Sequence, residues 1–542
     1  MTATAIPVQS VNALLSEVVA RFPGVTAMDF LGKRTSYAEL GQQVSRAAAG
    51  FQRLGVIKGT RVALCLPNTP YYVVCYYGIL QAGGVVVNLS PLYAESEIRH
   101  FLADSGARIA VTLDVRDLYE KFAPIVADGS LSHLIVGSIL GCLDPLKRFG
   151  FWLTKRKSLA DIPVDARHVS FSALVAPGAA PRPVTCNPLE DVAVLQYTGG
   201  TTGIPKAAML SHANLTANCA QVARRLPEIP PGSGMLTLVP LFHVFAMTVA
   251  MNLSTALGLN MILLPRYEKE LLRKTLARTK PLFFPGVPTI YANINEAAAK
   301  EKWELASIRF CVSGAAPLPA EIRTRFEQLS GCQLVEGYGL SEASPVVAAN
   351  LFGAVRDGSI GLPLDETTVE IRALDDPFRI VAQGERGEVC VRGPQVMLGY
   401  WNNADETKKV FIDGALRTGD VGYIDEDGYI FLVDRIKDLI ISGGYNVYPR
   451  MVEDALYQHP AVLEAVVIGV PDAKRGQVPK AYVRLRDAIQ ITEAELQTFL
   501  AERLSPVERP KWIEFRTALP KTVVGKLSRK ELVAEAQDKQ SA

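Results

Sequence analysis

An α/β fold is expected of this chain: a large N-terminal part of two α/β subdomains plus a small β-barrel, then a smaller α+β domain at the C-terminus. Three observations carry that expectation. Short β-branched runs alternate with amphipathic helical stretches through most of the sequence, the pattern of parallel sheets covered by helices. Over 361–433 short strands and turns replace that alternation. After the polar run Asp434, Arg435, Ile436, Lys437 and Asp438 a fresh α/β pattern begins, so the domains are placed at 1–434 and 435–542. A chain of 542 residues also suits several units rather than one, at about 150 residues per domain.

In chain order, strand 60–66, helix 70–81, strand 84–88, helix 95–105 and strand 109–112 form a βαβαβ series. A second series runs over 235–312, with buried strands at 282–286 and 310–312. Within it, 232–265 holds no Asp, Glu, Lys or Arg, and about 18 such apolar residues can nominate a membrane span. Pro240, Asn252, Ser254, Thr255, Gly258 and Asn260 interrupt it, so it divides into a strand end (236–239), a helix (245–257) and a strand (260–264), a buried β-loop-α-β piece. In 361–433 the strand and turn signals fall at 382–384, 387–391, 425–428 and 429–433. The C-terminal pattern is helix 449–458, strands 464–469 and 480–485, helix 493–504 and a last helix over 529–535.

Composition narrows the function. Apolar residues are 49% and charged residues 21%, a folded globular chain rather than a disordered one. The net charge of +2 is too balanced for the phosphate-neutralising field of a nucleic-acid binder, so no nucleic-acid partner is expected. Eight scattered cysteines without a CxxC pair point to reduced thiols and no structural metal. The start, MTATAIPVQSVNALL, has neither a basic nor an apolar leader segment, and a cytoplasmic location is expected. One stretch qualifies this. Residues 145–160 hold Lys147, Arg148, Lys155, Arg156 and Lys157 with Phe149, Phe151 and Trp152 and no acid, which suits peripheral membrane contact or a solvated surface excursion.

Four clusters carry chemistry. YTGGTTGIPKAAMLSH, 197–212, follows an apolar strand over 192–195; its glycines free backbone N–H groups for phosphate oxygens, its threonines add donors and Lys206 adds a point charge. It is not a Walker A loop, because Lys206 lies three residues past Gly203 and precedes Ala207. EGYGLSEASP, 336–345, offers Tyr338 to stack on a base, Ser341 to bond a phosphate oxygen and Glu342 as a hard ligand for phosphate-bound Mg²⁺. Just upstream, Ser313, Gly314, Ala315, Ala316 and Pro317 stand at a strand's carboxyl end, where backbone can approach a planar ligand. Asp420 and Arg435 bracket a hairpin and suit ribose hydroxyls and phosphate or ribose oxygens. Gly525 and Lys526 sit on an apparent loop before the last helix.

In this order, the strings YTGGTTG, PLFHVFAMT, EGYGLSE, VRGPQVMLGYW, ISGGYNVYP and LPKTVVGK resemble the adenylate-forming superfamily of acyl-CoA synthetases, adenylation domains and luciferases, over about 14–534. Within it the likeness is to bacterial long-chain fatty acid–CoA ligases. The resemblance implies a mobile C-terminal domain and ATP, Mg²⁺ and coenzyme A as cofactors. It implies a phosphate loop of Thr198, Gly199, Gly200, Thr201, Thr202, Gly203 and Lys206, with Thr201 and Glu342 at Mg²⁺. Gly314, Ala315, Ala316, Tyr338 and Gly339 match an adenine pocket, Asp420 and Arg435 ribose and phosphate contacts, and His243 a position beside the acyl carboxylate. Lys526 matches the catalytic lysine on the carboxylate and α-phosphate, Lys437 a hinge, and Gly443 with Gly444 a turn along the pantetheine channel. Two positions depart. Ser341 replaces a usual threonine and keeps the hydroxyl; Ala207 replaces a usual glycine, adds a methyl group beside the loop and is expected to lower ATP affinity rather than abolish it.

The implied reaction has two halves. A fatty acid attacks the α-phosphorus of ATP and releases pyrophosphate; CoA thiol then displaces AMP from the acyl-adenylate. Lys206, Lys526 and Mg²⁺ offset the charge that develops, and Glu342 and His243 complete the catalytic set. Aryl or other carboxylic acids, or transfer to a carrier protein, are the alternatives within enzymes; a catalytically silent nucleotide-binding regulator is the one outside them. A homodimer is the assembly allowed for.

Overall fold

The computed structural model describes residues 5–198, 205–486, 489–521 and 527–541. It divides into two compact units, the first comprising 1–355, 363–367 and 392–409, the second 356–362, 368–391 and 410–542.

Two sheets fill the first unit. In one, strands Val85–Asn88, Arg61–Leu64, Ile109–Leu113, His133–Gly137 and Val192–Thr198 run parallel, and Lys206–Ser211 and Gly399–Tyr400 continue it antiparallel. The expected βαβαβ series lies at its centre, with helices Pro70–Gln81 and Glu95–Ser105 at the predicted bounds. Val62, Ala63, Leu64, Val86, Val87, Ala110 and Val111 are wholly buried, because a parallel strand between helical layers has no wet face. In the other sheet, Gln333–Gly339, Phe310–Ser313, Phe283–Gly286, Gly234–Thr237, Asn260–Leu263 and Thr26–Phe30 are parallel neighbours. Leu236, Ile262, Phe284, Tyr291 and Phe326 share one core against it, each contributing about 1.5–3 kcal/mol of burial.

The charge-free stretch is interior, as expected. Its helical part runs from Val244 to Leu257, with a π-helical segment, Met247–Asn252, between α-helical Val244–Ala246 and Leu253–Leu257. Tyr77 OH donates to Asn252 Oδ1 and Thr255 Oγ1, and Tyr37 OH to the carbonyls of Ser254 and Leu259, so Asn252 and Thr255 of the helical part are partnered inside the protein. Among the described residues no helix is long and apolar enough to cross a membrane. A buried polar chain then ties the two sheets together. Asn68 Nδ2 donates to the Thr237 and Val239 carbonyls, Tyr72 OH to Asn88 Oδ1 and the Leu241 carbonyl, Asn88 Nδ2 to Gln196 Oε1, and Gln196 Nε2 to the Phe242 carbonyl. It holds residues 237–242, and so the approach to His243, against the strand that leads into the Gly/Thr loop.

The second unit also holds two sheets. The first is antiparallel: Thr368–Arg372, Gly387–Arg392, Phe411–Ile412, Ala415–Ile424 and Ile430–Arg435. The second places Ile440–Ser442, Tyr445–Val447, Val462–Asp472, Gly476–Leu485 and Trp512–Phe515 with helices Pro449–Tyr457, Glu493–Ala501 and Arg529–Ser541. Strands Val462–Asp472 and Gly476–Leu485 outrun the expected 464–469 and 480–485, because the hairpin ladder continues to the Asp472–Gly476 pair through polar residues that carry no apolar alternation.

Candidate active site

The Gly/Thr loop is flanked by antiparallel strands. Val192–Thr198 pairs with Lys206–Ser211, Thr198 opposite Lys206 and Tyr197 opposite Ala207. Gly199, Gly200, Thr201, Thr202 and Gly203, like Lys526, lie outside the described residues. Ala207 is buried in the regular ladder and has no positive φ, so its backbone conformation is one any residue adopts; the strain anticipated for a non-glycine there is absent.

Lys206 is half of a charge cluster. Its ammonium pairs with Glu406 and lies 5.4 Å from the ring centroid of Tyr400. Tyr400 pairs with Ala208 along the same sheet edge, and its hydroxyl donates to Glu342 Oε1 at 2.8 Å. Burial and the neighbouring Glu342 push the Tyr400 phenol up, so it stays a donor. Lys206 and Lys409 hold the Glu406 carboxyl down to about 2. Glu342 sits in the turn Ser341–Ala343 just after strand Gln333–Gly339, and its carbonyl accepts from the Met397 N–H at 2.8 Å. The fold thus joins Lys206 to Glu342 through Tyr400. One Glu342 oxygen is oriented by a phenol, and Oε2 has no hydrogen-bond donor among the described residues, an arrangement that fits a hard cation shared with phosphate.

The small-residue segment stands where parallel strands end. After Phe310–Ser313, a Cβ on Gly314 would lie 3.1 Å from the Phe245 ring, and Ala315 takes a left-handed φ of 70°. A non-glycine residue held there is strained, the kind of local cost found at ligand sites. Ser313 Oγ is buried without a hydrogen-bond partner among the described residues. A Cβ on Gly339 would lie 2.0 Å from the Pro345 carbonyl oxygen, so only glycine fits beside Tyr338. His243 caps the helix that carries Phe245, its Nδ1 accepting from the Phe245 N–H at 3.3 Å. These residues lie at or just beyond the carboxyl ends of the strands, where open α/β sheets bind ligands.

In the second unit, Asp420 and Arg435 are direct cross-strand partners, joined Nε to Oδ1 at 2.9 Å, with Asp420 buried and Arg435 half-exposed. Lys437 follows in the turn Ile436–Asp438; burial and the adjacent Arg435 push its ammonium down. Gly443 and Gly444 have φ of 59° and 88° and close the hairpin between Ile440–Ser442 and Tyr445–Val447, the two-residue turn that needs left-handed backbone at both positions. Arg529, at the start of helix Arg529–Ser541, reaches Glu453 at 2.6 Å, Asp438 at 3.2 Å and Asp434 at 4.0 Å. Burial pushes the Glu453 carboxyl up to about 7, against the pull of Arg529.

Sequence reasoning passed over Tyr400, Glu406 and Arg529. Tyr400 stood in a quoted string, VRGPQVMLGYW, with no role; Glu406 and Arg529 are charged residues on ordinary polar helices, which carry no signal by themselves.

The chain is similar to known proteins along nearly its whole length. The AMP-binding enzyme family model matches residues 15–401, and the AMP-binding enzyme C-terminal domain matches 451–526. The long-chain-fatty-acid–CoA ligase of Bacillus subtilis (strain 168) is 42% identical over 538 residues, 98% of this chain and 95% of that one. The ligase of that name from Escherichia coli O157:H7 is 37% identical over 540 residues, again 98% and 95%. Among solved structures, ATP-bound MatB from Rhodopseudomonas palustris is 27% identical with a TM-score of 0.85, covering 98% of this chain and 99% of its own. The chain therefore belongs to the AMP-binding enzymes of the adenylate-forming superfamily.

Proposed function

We infer that the protein is an AMP-forming acid–thiol ligase that converts a medium- to long-chain fatty acid to acyl-adenylate and then acyl-CoA, releasing pyrophosphate and AMP. The observation that carries this is the 42% identity to a long-chain-fatty-acid–CoA ligase over 98% of the chain. Fatty acid, ATP and CoA are the small-molecule substrates, and Mg²⁺ supplies charge neutralisation at the phosphates. A free carboxylate is a poor acyl donor because oxide would have to leave; the adenylate replaces oxide with AMP.

In this reading Thr198, Lys206 and the 199–203 loop hold the polyphosphate, Glu342 and Thr201 the cation, and Ser341 a phosphate oxygen. Gly314, Ala315, Ala316, Tyr338 and Gly339 bound the adenine. Asp420 and Arg435 serve ribose and phosphate, and His243 stands by the acyl carboxylate. Lys526 positions the carboxylate against the α-phosphate, and the domain after residue 434 turns about Lys437 so that Gly443 and Gly444 admit the pantetheine arm. The finer placement, cytoplasmic with peripheral membrane contact through 145–160, and a homodimeric assembly belong to the same reading.

ATP–pyrophosphate exchange measured across straight-chain acids from short to very long, and across aryl acids, tests it. Exchange is expected to peak with medium- to long-chain fatty acids and to require Mg²⁺, with acyl-CoA formed once CoA is added. A peak on aryl acids would favour the alternative ligase, and no exchange with any acid would leave a silent nucleotide binder.

A further inference from the structure

Residues 145–160, ambiguous as sequence, fold as helix Pro145–Lys155 followed by the turn Arg156–Ser158. Asp144 caps the helix, its Oδ1 accepting from the Lys147 N–H at 2.9 Å. No residue of this helix is buried, which is unusual for an amphipathic one. Its apolar side chains are not turned inward. Leu146 is 81% exposed, Phe149 62%, Trp152 44% and Leu153 67%. At 100° per residue these four fall within an arc of about 120°, so they form one continuous stripe facing solvent. The anchoring contacts come from the other side: Lys147 Nζ bonds the Leu31 carbonyl and Arg148 Nε the Leu140 carbonyl.

Monomeric proteins seldom leave such a stripe uncovered without a partner. Charge identifies the partner. Residues 145–160 carry five cations and no acid. Lys147 pairs with the capping Asp144, while Arg148, Lys155, Arg156 and Lys157 have no carboxylate partner among the described residues. Arg156 lies over the ring of Trp152 at 5.5 Å, which keeps one cationic head beside the apolar stripe; Lys155 lies over Phe151 at 5.9 Å, outside the stripe.

We propose that helix Pro145–Lys155 is an in-plane anchor that seats Leu146, Phe149, Trp152 and Leu153 in the apolar boundary of an anionic lipid surface, with Lys155, Arg156 and Lys157 on the headgroups. An apolar stripe flanked by cations on a short surface helix is the arrangement that binds the interface without spanning it. This deepens the peripheral contact in the proposed function and stands apart from the ligase reading: a bilayer-held enzyme meets long-chain acids where they are concentrated, yet among the described residues the helix touches none of those assigned to chemistry.

The test is sedimentation of the full chain with phosphatidylcholine vesicles, with and without phosphatidylglycerol, alongside acyl-CoA formation from a short, soluble fatty acid. Binding to the anionic vesicles is expected, with quenching of Trp152 by lipids brominated near the headgroup and loss of that quenching in Trp152→Phe. Phe149→Glu with Leu153→Glu is expected to abolish binding. Replacing Lys155, Arg156 and Lys157 by Gln should weaken it roughly a hundredfold, at about 1 kcal/mol per cation. Because these side chains are exposed, both variants should keep wild-type activity on the soluble acid. Binding unchanged by the Glu pair, or equal binding to neutral vesicles, overturns the proposal. So does a soluble dimer that the Glu pair dissolves, which would make a second copy the occupant. Vesicle binding without ligase activity would instead sink the functional reading alone.

Discussion

At the residue scale, the consequential finding is that Lys206 and Glu342 are not independent. Tyr400 touches both, through its ring face and its hydroxyl. Tyr400→Phe keeps the ring and removes only the bond to Glu342. Pyrophosphate exchange is expected to fall about tenfold, the scale of one hydrogen bond to a charged group, with a higher Mg²⁺ requirement; an unchanged Mg²⁺ titration would show that Glu342 needs no such support. Glu406 acts in the opposite sense. It already pairs with Lys206, so in the proposed reading a polyphosphate would compete with a resident carboxylate. Glu406→Gln is expected to lower the Kd for ATP by roughly two- to fivefold, the worth of a partly exposed ion pair, while a raised Kd would mean that Glu406 orients the lysine instead. None of this was legible beforehand, since a tyrosine and a glutamate within GYWNNADET have no periodicity or spacing that marks them.

At the element scale, helices Val11–Arg21 and His212–Arg225 are joined where both begin. The Val11 N–H donates to His212 Nδ1 at 3.3 Å, and burial holds the His212 imidazole down to about 4 from an ordinary 6.5. The sign follows from which state takes up the proton. Above pH 6.5 the ring is neutral whether folded or unfolded; between 6.5 and 4 only the unfolded chain binds the proton, so stability falls as pH drops. The loss is about 3 kcal/mol by pH 4. Denaturant unfolding between pH 7 and 4 is expected to show that loss, and His212→Gln, which keeps an acceptor but does not titrate, should flatten this part of the profile. Elements themselves were well forecast where periodicity is strong: helices Pro70–Gln81 and Glu95–Ser105 stand at their expected bounds. Forecasts failed where polar residues line a strand, as in Gly476–Leu485, because pairing there is set by the partner strand rather than by hydrophobic alternation.

For the whole molecule, the division of labour between two half-reactions gives the sharpest prediction. Helix Arg529–Ser541, which follows Lys526 in the chain, is tied by Arg529 to Glu453, Asp434 and Asp438, on either side of Lys437. Lys526→Ala is expected to lose roughly a hundredfold or more of acyl-adenylate formation yet still to convert supplied acyl-adenylate and CoA to acyl-CoA. Single-turnover measurement of each half separately decides it, and equal loss in both halves would contradict a role confined to adenylation. Order along the chain was enough to reveal the fold class and the family: apolar periodicity dictates which segments bury a face, and the motif strings in their order carry the resemblance that the family match bears out. Folding alone decided which distant side chains meet. The Lys206–Tyr400–Glu342 cluster, the buried Asn68–Tyr72–Asn88–Gln196 chain and the outward face of helix Pro145–Lys155 depend on how layers stack and which way a helix is rolled, and a local stretch of sequence carries no record of its neighbours in space.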